Sequence, residues 1–146
     1  MSTTLKEPYI GGLTRQVWQW VRRRIHEEVV ANGFDDLTPA HVAAFRNPTL
    51  DQLRPTDLAV EMQITKQSVN ELVGHLERRG YLTREPDPRD SRSRRLCLTA
   101  RGMALEEVVR IAARRAEQEA AALIGADRME ELRQTLQELV RLLPRD

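Results

Sequence analysis

A single cysteine, Cys97, stands in a chain of 146 residues. That excludes an intramolecular disulfide framework and a cysteine-based zinc site, and it suits a reducing compartment. No apolar run approaches the ~20 residues of a membrane span, so no integral membrane protein is expected. The opening MSTTLKEP has no apolar stretch of the kind a secretory leader carries, and a cytoplasmic location is expected. Lysine is nearly missing: Lys6 and Lys66 are the only two among 23 basic residues. Arginine suits phosphate and carboxylate forks, but such a bias also arises from coding composition and carries little weight alone. Charge of one sign is missing too, since 23 Lys and Arg face 22 Asp and Glu for a net charge of +1. A polybasic tail protein and an acidic disordered chain are thereby excluded. His26, His41 and His75 lie too far apart for a ligand pair, so no metal is expected. With no paired nucleophile and base and no glycine-rich phosphate loop, neither an enzyme nor a bound cofactor is expected.

What the chain does have is an uneven distribution of that balanced charge. Residues 1–65 hold seven basic and eight acidic residues, residues 66–101 hold nine and five, and residues 102–146 hold seven and nine. A basic middle therefore lies between two mildly acidic flanks. Local asymmetry is the better electrostatic footprint, because attraction to phosphate is screened beyond about 8 Å at physiological salt.

Apolar periodicity predicts six helices and one hairpin. After a flexible polar tail over 1–12, Leu13, Val17, Val21, Ile25 and Val29 mark a first helix, which ends at Asn32-Gly33. Thr38-Pro39 opens a short second helix that stops before Pro48, and Pro55 starts a third. Thr65 is placed to cap a fourth helix from Lys66 to Arg79, ended by Gly80. Its apolar stripe is Val69, Leu72, Val73 and Leu76. Gln67, Asn70, Glu71, Gly74 and Arg78 thus face the other way, with Ser68 and His75 on the flank. Tyr81–Arg84 and Arg95–Leu98 read as strands around a polar, proline-containing tip. Thr99 caps a long fifth helix closed by Gly125, and Asp127 with Glu130 has capping-box spacing to open a sixth.

Helix, helix, helix, strand, charged tip and strand, in that order, form a winged helix-turn-helix. The fold class expected is mainly α, with a small antiparallel hairpin wing and dimerisation helices at both ends. The lobe is expected over 37–101, with dimerisation regions over 13–36 and 102–146. Thr65, Lys66, Gln67, Ser68, Asn70, Glu71 and His75 are the expected DNA-facing residues of the fourth helix. Gln, Ser and Asn near its start can read base edges, whereas His75 and Arg78 lie further along, toward phosphates. The tip DPRDSRSRR supplies Arg89, Arg92, Arg94 and Arg95 against Asp87 and Asp90, and a narrow minor groove attracts such arginines.

At these residues the sequence resembles the MarR family of transcriptional regulators, over roughly Leu13 to Leu143. The most specific stretch is RRGYLTREPDPRDSRSRRLCLTARG. Gly80 with Tyr81-Leu82 and Arg84 looks like the family's turn from recognition helix into wing, and Asp90-Ser91-Arg92 matches its Asp-x-Arg wing signature. The resemblance implies that Asp90 orients Arg92 and that Arg92 enters the minor groove. It also implies a homodimer formed by the first, fifth and sixth helices, and a cleft for a small aromatic or lipophilic effector. Three departures stand out. Arg54 occupies the position before the third helix where the family often has Ser or Thr, which implies a weaker cap; Glu71 would repel phosphate on the reading face unless it accepts from cytosine or pairs with a neighbouring arginine; and the connector Asn47–Arg54 leaves the family's short first strand in doubt.

Several residues have plainer readings. The Arg22-Arg23-Arg24 triplet suits a solvated face, and Cys97 suits a half-buried structural thiol. Trp18 and Trp20 fit core or dimer packing as well as an effector cleft that would include His41. Leu13, Val17, Leu132, Leu136, Leu139 and Leu143 bring more apolar surface than a small winged domain can cover, which points to a second copy. The expected function is sequence-specific binding of double-stranded DNA by a homodimeric, ligand-responsive repressor on a near-palindromic site. The alternative is a winged-helix protein-interaction module without DNA readout.

Overall fold

The computed structural model describes residues 8–45 and 50–144, and the elements run α1 (Ile10–Ala31), α2 (Pro39–Ala44), α3 (Pro55–Met62), α4 (Lys66–Arg78), β1 (Leu82–Asp87), β2 (Asp90–Leu98), α5 (Ala100–Ile124) and α6 (Ala126–Leu142). The expected order holds. Pro48, named above as the stop for the second helix, and the start of the connector at Asn47 lie outside the described residues.

Local chemistry sets most boundaries. Thr38, Thr65 and Thr99 each cap the helix that follows, their hydroxyls accepting the backbone N–H of His41, Ser68 and Gly102. Gly80 and Gly125 take positive φ where α4 and α5 end. Three boundaries differ from expectation. Helix α1 begins at Ile10, inside the stretch expected as tail, because the Tyr9 carbonyl accepts from Gly12 and Leu13 and starts the ladder early. Helix α6 has no capping box: Gly125 itself takes the cap position and joins two helices without a loop, while Glu130 pairs with Arg133 and Gln134. The strands reach well into the charged tip, pairing from Leu82↔Leu98 out to Asp87↔Asp90, so the turn is only Pro88-Arg89.

The core lies where α1, α3, α4, α5 and the root of the wing meet. Ile25, Val29, Leu58, Val73, Leu76, Tyr81, Leu96 and Leu105 are all buried there. The sheet has two strands. The connector nonetheless docks on the free edge of β2: Gln52 N–H donates to Leu96 O (2.7 Å), Leu96 N–H to Leu53 O (2.8 Å), and Leu98 N–H to the Asp51 carboxylate (2.9 Å). These bonds occupy the place of the first strand that the long connector had put in doubt.

Helix α6 buries no residue, and Leu132, Leu136, Leu139 and Leu143 are between 41% and 53% exposed. Leu13 and Val17 on α1 are likewise exposed, although the same helix buries Ile25 and Val29 lower down. One chain therefore covers the lower half of the α1 stripe and leaves the upper half bare.

Candidate nucleic-acid interface

The turn between α3 and α4 depends on one residue. Gln63 adopts a left-handed conformation (φ 54°), which reverses the chain within a few residues and delivers Thr65 to the start of α4. The Thr65 hydroxyl both accepts from the Ser68 N–H (3.0 Å) and donates to the Ser68 hydroxyl (2.9 Å). Thr65 and Ser68 are thus partly spent on capping, although both are exposed. Lys66, Gln67, Asn70 and Glu71 are exposed on the same end of α4, while Val69, Leu72, Val73 and Leu76 fix the opposite face in the core. Four buried side chains on one stripe prevent the helix from rotating, so the polar end points outward in one orientation.

His75 does not belong with them. Its ring stacks on His41 with centroids 4.0 Å apart and planes 2° from parallel, and its Nε2 bonds the Asp36 carbonyl oxygen at 2.8 Å. The close approach of α2 and the α1–α2 loop turns the flank position inward, which removes His75 from a phosphate-contacting surface. His41 is engaged as well, since its Nδ1 accepts from the Thr38 N–H in the capping box of α2.

The wing departs from expectation at Asp90. Its carboxylate accepts from the Arg92 backbone N–H (3.0 Å) and the Ser93 hydroxyl (3.1 Å), so it orders the backbone after the turn and does not grip the Arg92 guanidinium. Asp87 matches it on the other strand, accepting from the Arg89 N–H at 2.9 Å. The Asp87 carboxyl sits below the usual carboxylate range, chiefly because of that N–H and then Arg54, with burial opposing. Arg94 donates to the Arg84 carbonyl (3.2 Å) and lies along the hairpin. Arg89, Arg92 and Arg94 are all exposed.

Sequence reasoning missed the joint behind the wing. Arg101, in the first turn of α5, donates to Asp36 (3.1 Å), the Tyr81 hydroxyl (3.0 Å) and the Arg79 carbonyl (3.0 Å), with its guanidinium 4.4 Å from the Tyr81 ring centroid. The Tyr81 hydroxyl in turn donates to Asp36. Burial, with the Asp36 carboxylate second, pushes the Tyr81 phenol up to about 12. Burial also opposes ionisation of Asp36, but the Tyr81 hydroxyl and Arg101 outweigh it and hold that carboxyl below its ordinary value. The network ties the α1–α2 loop, the end of α4, the wing root and α5 together. Only the Thr-Ala-Arg-Gly string hinted at it.

A separate cleft of about 510 Å³ runs between α1 and α5, with Trp18, Val21, Phe45 and Val109 on its walls and Arg110 and Arg114 at its edge. Trp18 is one of its lining residues; Trp20 and His41, expected beside it, are not. Burial and the adjacent Glu85 push the Cys97 thiol up, away from the reactive thiolate form.

A helix fixed by its core face, a polar outer end and an arginine-bearing hairpin beside it define a winged helix-turn-helix protein. Residues 35–93 match the family model of the MarR family. The transcriptional activatory protein BadR of Rhodopseudomonas palustris is 33% identical over 82 residues, covering 56% of this chain and 47% of BadR. The match thus spans about half the length of that relative. The MarR family protein Rv2887 of Mycobacterium tuberculosis, in its complex with salicylic acid, superposes with a TM-score of 0.70 at 25% identity, over 92% of this chain and 98% of that one. Rv2887 in complex with DNA gives 0.70 at 24% identity, over 91% and 98%. The chain is thus similar to the MarR family over residues 35–93 and in its fold.

Proposed function

We propose that the protein is a transcriptional regulator that binds double-stranded DNA sequence-specifically as a homodimer, on a near-palindromic site. The observation that carries the reading is the joint outward display of Gln67 and Asn70 at the start of α4 and Arg89 and Arg92 on the adjacent wing. A helix of this kind fits the ~12 Å major groove, and arginines on a hairpin suit the narrower minor groove beside it. Rv2887 has been crystallised with DNA, which supports the same use of the fold here.

The exposed leucines of α6 and the upper half of α1 supply the apolar face for a second copy. A two-fold pair would set the two recognition helices about 34 Å apart, one helical turn of DNA. The cleft beside Trp18 is the proposed effector site, for a small aromatic or lipophilic compound; Rv2887 is known with salicylic acid. Regulation is proposed as repression relieved by that compound, which requires unequal affinity for the DNA-competent and incompetent states.

Binding to duplex DNA across a salt series tests the proposal. Affinity should fall with a log-log slope near -0.9 per phosphate contacted. Specific binding to a protein target with a flat salt response would favour the interaction-module alternative. A promoter-reporter assay with and without salicylate separates repression from activation, the activity in the name of BadR.

A further inference from the structure

We infer that Arg54 is a wing-positioning residue, whose guanidinium clasps Asp87 at the wing turn and so fixes where Arg89 and Arg92 meet the duplex. The inference rests on the DNA reading above. Arg54 stands at the cap position of α3, yet its side chain makes no capping bond. It lines instead, with Asp87, a cleft of about 790 Å³ between the α2–α3 connector and the wing, and its Nε donates to Asp87 Oδ2 at 2.9 Å. The Arg54 side chain is 38% exposed and that of Asp87 only 10%.

The position of this bond gives it leverage. A two-stranded hairpin is marginal alone, and only the root of the wing, at Leu82, Leu96 and Leu98, is held in the core. At the root the connector runs along β2, bonded at Leu98 by Asp51 and at Leu96 by Gln52 and Leu53. Arg54 is the next residue and makes the outermost tie, to the strand end at Asp87. The other oxygen of the same carboxylate holds the Arg89 N–H. Because Arg54 also begins α3, one side chain links the helix-turn-helix to the turn that carries Arg89 and leads to Arg92.

Arg54→Ala, Asp87→Asn and the double variant, measured in full-length protein against a duplex selected by the wild type, test the clasp. Removing a negative charge near phosphate should by electrostatics alone tighten binding. The clasp predicts the reverse: Asp87→Asn and Arg54→Ala each weaken binding roughly tenfold, the scale of a lost charge-assisted hydrogen bond, and the double variant is no weaker than either. Tighter binding by Asp87→Asn, or additive losses, would overturn the clasp and make Arg54 a phosphate contact. Amide exchange at Arg89 and Arg92 in the free proteins supplies a readout independent of DNA. Faster exchange in Arg54→Ala, which leaves the Asp87 acceptor of the Arg89 N–H in place, supports the clasp, and unchanged exchange in that variant overturns it. If the wild type selects no duplex, the DNA reading fails and the positioning role with it, whereas the exchange result still decides whether the bond orders the turn.

Discussion

Gly102→Ala should separate the fifth helix from the wing root, and the size of the effect can be worked from the geometry. An added Cβ would lie 2.0 Å from the Tyr81 carbonyl oxygen, 3.1 Å from its carbon and 3.2 Å from Leu98 Cδ2. A carbon normally stands about 3.3 Å or more from a carbonyl oxygen, so α5 has to retreat by more than an ångström. The obstacle is backbone, held by the Thr99 N–H at 3.1 Å and followed by a side chain that is fully buried. Overpacking costs about 1–3 kcal/mol, and weakening the Thr99 and Arg101 bonds adds about 1 kcal/mol. The total is about 3 kcal/mol. Unfolding entropy near 2.1 cal/mol/K per residue over 146 residues turns this into a fall in Tm of about 10 °C. Urea and thermal unfolding at one protomer concentration would measure it. A loss below about 0.5 kcal/mol would refute the close approach of α5 to Tyr81.

Four further outcomes are expected. Arg92→Ala should weaken DNA binding with thermal stability unchanged, because its guanidinium supports no core contact; fluorescence anisotropy and a melt, run together, check this. Gln67→Ala and Asn70→Ala should each cost about 1–3 kcal/mol on the preferred site and less on unrelated DNA, and equal losses on both would show that these side chains do not read bases. Leu136→Asp should shift the sedimenting species to the monomer, since it places a charge in the exposed apolar row of α6. The Tyr81 phenol, raised from 10.0 to about 12, favours the fold in its neutral form. That contribution is complete below pH 10 and is lost as pH rises through 12, so denaturant midpoints of the wild type should fall in that window while Tyr81→Phe, weaker at the start, gives a flatter curve.

Features written in neighbouring residues were readable before the structure. Thr38, Thr65 and Thr99 announce helices because a hydroxyl at a cap bonds an amide three positions on. The stripe of α4 shows which face is core, and therefore which is left exposed. Features that join distant segments were not readable. His75 sits on the flank of α4 in any helical projection, and only the packing of α2 turns it toward His41. Asp36, Tyr81 and Arg101 meet across 65 positions of sequence. Arg54 looked like a poor helix cap because its partner lies 33 residues away in the wing. Asp90 opens β2 just after the turn, but its bonds go to backbone and Ser93, a choice that spacing alone does not make.

Selection of bound fragments from a random duplex pool by the purified protein tests the central claim most directly. The account predicts enrichment of a near-palindrome with half-sites centred about one helical turn apart, lost when Arg92→Ala is used in place of the wild type. Recovery of no preferred sequence at physiological salt would contradict it.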